Sequence, residues 1–305
     1  MDVDTTGCVP YQPGVETNYG YVPSKAAGIT FITLFSLSTL LHLSQTIRSR
    51  QWWTLLFAIG GLTEVIGWTG RTWSALCPYN TAAFLMQITT LIIAPTFWTA
   101  ALYLLLGTLT SLPRAPPSPL RPHTYLALFL SADLVSLLLQ AIGGGMASVA
   151  AAALPPGDTA PGTRIMVGGI LFQLAAMTVF VGLIVAFVVR GRGRRLGGRV
   201  RCGVGAMAGC AGLVYVRCVY RAVELLGGWE GWVATHEVWF LALDGGVMVG
   251  AVGVFNSVHP GVFLGGGARG EEKGEGGGGR VESWAAGVGD DGEEKEGDSR
   301  PGTAV

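Results

Sequence analysis

The chain has 305 residues, half of them hydrophobic and only 13% charged, with a formal net charge of zero. Its mean hydropathy is +0.47, whereas soluble domains run nearer 25% charged. An ordinary water-soluble enzyme or nucleic-acid-binding domain is excluded, and the zero net charge hides an uneven distribution along the chain.

Residues 1–25 are polar, with Asp2, Asp4 and Glu16, and lack the basic n-region and apolar core of a cleavable signal. Seven apolar stretches follow, at residues 26–46, 53–73, 82–109, 125–148, 165–189, 202–223 and 238–258. A bilayer core about 30 Å thick needs roughly 20 residues of helix. Helix is the conformation that satisfies its own backbone in hydrocarbon, and these runs are too long for tilted barrel strands. The fold class is therefore all-α, a polytopic seven-transmembrane-helix bundle. Pro95 inside the third span predicts a kink, because its ring removes one hydrogen bond and crowds the preceding turn.

Ten arginines fall in the first, third and fifth connections: Arg48, Arg50, Arg114, Arg121, Arg190, Arg192, Arg194, Arg195, Arg199 and Arg201. The other side offers Lys25, Arg71 and Arg164. The positive-inside rule then places the N-terminus outside and the C-terminus in the cytosol. The basic run Arg190 to Arg201 also suits anionic lipids of the cytosolic leaflet, although topology alone accounts for it. Past His259-Pro260 the chain is Gly-rich, with ten acidic and five basic residues, and is expected to be a disordered cytosolic tail with Ser283 and Ser299 as candidate phosphorylation sites. The resulting domains are an external segment 1–25, a membrane domain 26–258 and a tail 259–305. Cys8 and Cys77 share the predicted outer side and could pair in an oxidising compartment, while Cys202, Cys210 and Cys218 sit in span six as small apolar residues.

Charges inside the spans are costly and mark where function is to be sought. Glu64, Gly67, Trp68 and Arg71 lie on one face of span two, with Glu64 expected to find a partner on another helix and Arg71 to snorkel outward. Gln87, Pro95 and Tyr103 mark span three. Asp133, Ser136, Gln140 and Gly143 form a polar stripe on span four, continued by Gly168, Gly169 and Gln173 on span five, where helix packing is the simpler role. Arg217, Tyr220, Arg221 and Glu224 share a face of span six, and Glu237 and Asp244 share one of span seven. Two guanidiniums there require anions, for which Glu224, Asp133, Glu64 and Asp244 are the candidates.

These motifs in this order resemble the fungal RTA-like family, named for resistance to aminocholesterol and described as lipid-translocating exporters. The resemblance covers about residues 19–261, from YGYVPSKAAG through Glu64 to Arg71, Asp133 to Gly145, Arg217 to Glu224 and Asp244 to the HPG at His259–Gly261. Gly67-Trp68 departs from a more usual Tyr or Phe, and the tail is unusually rich in glycine. The resemblance implies a plasma-membrane or endomembrane protein linked to movement of sphingoid long-chain bases or phospholipids and to tolerance of sterol-like and azole toxins. The expected substrate contacts are Glu64, Asp133, Gln140, Arg217, Arg221, Glu224 and Asp244, a groove in which carboxylates meet an ammonium headgroup. No cofactor or metal is expected.

No GxxxxGK[ST] occurs, so a gradient or another protein is the expected energy source. Lys25, Lys273 and Lys295 all lie outside the spans, which excludes a retinal Schiff base. His42, His123 and His259 share the predicted inner side, but each stands alone at a span end, an interfacial position more than a zinc-ligand pattern. The reading is of a non-enzyme, with a seven-helix lipid or stress sensor signalling through its cytosolic loops as the alternative.

Overall fold

The computed structural model describes residues 7–15, 17, 19–112, 115–153, 157–192, 197–228 and 231–261. Seven long helices account for most of them. They are α1 (Lys25–Ser49), α2 (Leu55–Leu76), α3 (Thr81–Thr110), α4 (Pro122–Ala152), α5 (Ala160–Gly191), α6 (Gly198–Leu226) and α7 (Glu237–Ser257). Most overhang the expected spans by a few residues, because a helix need not stop where the hydrocarbon does. Six are long and apolar enough to cross a membrane on length and composition alone. The second, α2, has 22 residues, enough for roughly 33 Å at 1.5 Å per residue. Its Glu64, Arg71 and several Gly and Thr residues dilute its hydropathy.

Start signals are local. Ser24 caps α1 by accepting from the Ala27 amide at 3.3 Å, and Asn80 caps α3 by accepting from Ala83 at 2.9 Å. Pro122 and Pro161 open α4 and α5, where a missing N–H costs nothing. Consecutive helices pack side by side, α7 closes between α1 and α6, and α3 reaches across to α6. The centre is aromatic: Trp68, Trp98, Phe35, Phe57, Tyr103, Phe180 and Phe255 are all buried. Large apolar side chains point the other way along α1, α4 and α5, with Leu40 62%, Leu138 62% and Val179 58% exposed. Such a continuous greasy exterior is stable only against acyl chains, so the fold is that of a polytopic membrane protein.

Glycine governs the closest helix approach. A Cβ at Gly162 of α5 would lie 2.5 Å from the Ala147 amide and 2.6 Å from the Gly143 carbonyl of α4. Gly162→Leu is expected to separate these helices and cost about 1 to 3 kcal/mol, read as a lower melting temperature in lipid nanodiscs. In α3, helix continues through Pro95, whose ring leaves the Leu91 carbonyl without its usual donor.

A disulfide joins Cys8 to Cys77, with Cα atoms 4.7 Å apart across 69 residues of sequence. It fastens the N-terminal segment to the α2–α3 connection, where Tyr79 Oη accepts from the Gln12 amide at 3.0 Å. Closing a loop of that length restrains the unfolded chain by about 4 kcal/mol. Cys77→Ser is expected to lower the melting temperature accordingly, and a reductant to do the same to the unmutated protein. The expected tail from residue 262 onward, with Ser283 and Ser299, lies outside the described residues, as do Arg114, Arg194 and Arg195.

Candidate functional site

The expected intramembrane charges turn inward. Glu64 and Asp244 are 1% exposed, Asp133 2%, Arg217 5% and Arg221 9%. Hydrocarbon leaves them no alternative, and what distinguishes them is the partner each finds.

Asp244 is the hub. Its Oδ1 lies 2.9 Å from Arg217 Nε and 2.9 Å from Arg221 Nε. Arg221 also donates to Glu224 at 2.9 Å, and Glu224 accepts from Tyr220 Oη at 3.0 Å. The face predicted for span six is therefore real, and its guanidiniums take Asp244 and Glu224, leaving Asp133 and Glu64 aside. Arg217 Nη2 donates to the Leu91 carbonyl, so α6 supplies the donor that Pro95 removes from α3. A seven-residue π segment, Phe240–Gly246, brings Asp244 to this position. A Cβ at Gly245 would meet Trp68 at 2.6 Å and Phe31 at 2.8 Å, so only glycine lets the wide turn sit against α1 and α2.

Arg71 does not snorkel outward. It is 1% exposed and donates to Glu237 at 2.8 Å and to Tyr21 Oη at 2.9 Å, with its guanidinium 4.3 Å from the Phe240 ring centre. The signal missed in the sequence was Glu237 at the start of span seven, with Tyr19 and Tyr21 before span one. Together they build a polar lid in which Tyr19 donates to Gln87 at 2.7 Å and Ser24 N–H to Glu237 at 2.8 Å. Burial pushes the Tyr19 phenol up to about 12, with the Ser74 hydrogen bond and Arg71 opposing it, and raises Tyr21 as well. A phenol held neutral by the fold stabilises it fully below its unfolded value near 10 and loses that contribution as pH rises through the folded value. The lid is therefore expected to loosen between about pH 10 and pH 12, which amide exchange across residues 19–24 would record.

Two acids, Asp133 and Glu64, form no salt bridge with these arginines. Asp133 Oδ2 accepts from Thr99 and Tyr103 hydroxyls, each at 2.8 Å, behind Phe129 and Phe180. Glu64 was expected to reach another helix, yet its hydrogen bond is to Trp68 of its own helix, at 3.2 Å. Gln140 donates to Ser136 at 2.7 Å and to Gln173 at 3.1 Å, tying α4 to α5.

Between these groups opens a cleft. Its lining mixes polar side chains, among them Tyr19, Tyr21, Gln140, Gln173, Arg217, Arg221 and Glu224, with apolar ones such as Ile88, Ile92, Ile170 and Leu225. Glu64, Asp133 and Asp244 stand outside that lining, so the expected single groove of carboxylates becomes a mixed wall with acids behind it. At the opposite end of the bundle, His42 and His259 are buried, with ring centres 6.4 Å apart. Among the described residues, no three of His, Cys, Asp and Glu come together as a metal-ion group.

A model of the RTA1-like protein family matches residues 57–267. The chain belongs to the RTA1-like family. Among its relatives in Saccharomyces cerevisiae, it is 29% identical to the sphingoid long-chain base transporter RSB1 over 280 residues, 79% of this chain and 73% of that one. It is 26% identical to Protein RTA1, over 79% of this chain and 84% of that protein. It is 25% identical to Protoporphyrin uptake protein 1, over 74% and 86%. No solved structure matches. The family match spans α2 to α7 and so contains every charged residue of the arginine centre, while the lid tyrosines precede it.

Proposed function

We propose that this protein moves amphiphilic lipids, sphingoid long-chain bases above all, across its membrane. The observation that carries the reading is the mixed lining of the cleft, whose charged and amide side chains suit a charged, hydroxylated headgroup while its isoleucines and Leu225 suit an alkyl chain. Glu224 is the carboxylate in that lining, and its oxygens keep lone pairs beyond those used by Arg221 and Tyr220. An ammonium group pairs there, Gln140 and Gln173 take the hydroxyls, and Arg217 and Arg221 hold the wall. Asp244, Asp133 and Glu64 act from behind it. The name of the yeast relative RSB1, a sphingoid long-chain base transporter, points the same way.

The orientation that fits is N-terminus outward with the tail in the cytosol, since the disulfide lies at the N-terminal end of the bundle and the arginine-rich connections at the other. Location in the plasma membrane, contribution to toxin tolerance and anionic-lipid contact at Arg190 to Arg201 belong to the same proposal.

Full-length protein reconstituted into liposomes with a fluorescent long-chain base tests it. Transfer between leaflets is expected without added partners, and Glu224→Gln is expected to slow it about tenfold, the worth of one charged hydrogen bond. Protein-containing liposomes that move the probe no faster than empty ones would refute the reading, and ligand-dependent recruitment of a cytosolic partner would then favour a sensor.

A further inference from the structure

The three buried guanidiniums near the cleft form salt bridges with Glu237, Asp244 and Glu224. Two buried acids are left over. Asp133 has two hydroxyl donors. Glu64 has a single indole donor on Oε2, while its Oε1 has no hydrogen-bond partner among the described residues, at 1% exposure. A bare carboxylate in such a place is strongly disfavoured, whereas a neutral carboxylic acid is cheap to bury. The cation acting most strongly on Glu64 is Arg217, whose guanidinium serves Asp244 and the Leu91 carbonyl that Pro95 strands. One arginine thus pairs by charge with Asp244 and donates to the Leu91 carbonyl, while Glu64 is left without a salt bridge among the described residues.

We propose that Glu64 is a proton-binding site that couples transport to a proton gradient, its loading deciding whether Arg217 stays latched to Leu91 of α3. The inference rests on the transport reading. With the proton on Glu64, Arg217 keeps the Leu91 carbonyl and α3 is braced at Pro95. On release, the Glu64 O–H bond breaks, its electron pair stays on the carboxylate, and the proton passes to water in the cleft that Arg217 lines. Arg217 then turns to the new anion and frees Leu91, which sits between Ile88 and Ile92 of the cleft wall. The proton state of α2 is thereby written into the shape of the lipid path.

The charged groups around Glu64 are Arg217 and Arg221 on α6 and Asp244 on α7. Packed against it, α1 has no Asp, Glu, Lys or Arg between Ala26 and Ile47, with His42 near its far end. Likewise α3 has none between Thr81 and Thr110, with Tyr103 its titratable group.

Infrared spectra of the reconstituted full chain, titrated from about pH 5 to about pH 9, test the site through the C=O stretch of a protonated carboxylic acid. The band is expected to disappear as pH rises, to be absent from Glu64→Gln and to survive in Asp133→Asn. Heavy-carbon labelling of glutamate carboxyls in the unmutated chain is expected to shift it, which needs no variant to fold. In liposomes, the ratio of wild-type to Glu64→Gln initial rates is expected to change at least about fivefold over the same range. Comparing the two proteins at each pH cancels titration of the probe's own amine. A band that ignores the glutamate label, or two superimposable pH profiles, overturns the proposal. A wild type that moves no probe while the band behaves as described keeps the proton site and removes the transport reading.

Discussion

Asp244→Asn is expected to destabilise the bundle by about 3 to 5 kcal/mol, the cost of removing one partner from a buried ion pair. That is a large part of the roughly 5 to 15 kcal/mol by which native proteins are held folded. One carboxylate oxygen, in a residue 1% exposed, lies 2.9 Å from each of two guanidiniums. An amide keeps the shape but leaves Arg217 without an anionic partner and Arg221 with Glu224 alone. Thermal unfolding in nanodiscs reads the effect, and an asparagine variant melting with the wild type would show that the pairing holds nothing. Replacing Asp244, Arg217, Arg221 and Glu224 together with apolar side chains of similar volume is expected to restore most of the stability, because the ion pairs are then removed whole. Lipid transfer is expected to stay lost, which separates the structural from the functional role of the cluster.

Arg71→Met is the second large effect, expected at about 2 to 5 kcal/mol and concentrated at one end of the molecule. Arg71 joins α2 to Glu237 of α7 and to Tyr21 of the N-terminal segment, and it faces Phe240 at 4.3 Å. Methionine fills the space and makes none of these bonds. Residues 19–24 are expected to exchange their amide hydrogens at least about tenfold faster, while the Cys8–Cys77 link holds the start of the segment in place. Unchanged exchange there would mean that the disulfide and Tyr19 hold the lid without the arginine.

The helices were legible because each apolar run is long and its caps and prolines are local signals. The inward turn of the charges was legible from the cost of exposing them to lipid. Pairings were harder to read, since four acids and three bases on separate helices allow many matches. The choice of Asp244 depends on a π segment that no spacing rule announces, because an extra residue per turn shifts which side chains share a face. Arg71 was misplaced because its partners lie in the N-terminal segment and at the start of α7, more than one helix away in sequence. The Leu91 carbonyl, stranded by Pro95, was foreseeable as an orphan; that Arg217 would claim it was not.

The wide turn at Phe240–Gly246 also makes the chain's residue count functional. Deleting one residue inside it would let ordinary α-helix run straight through, rotating everything downstream by about 100° relative to Glu237. Met248, Ala251 and Phe255, now in the core, would swing toward the acyl chains. A one-residue trim that leaves composition and hydropathy nearly untouched would thus miswire the whole bundle.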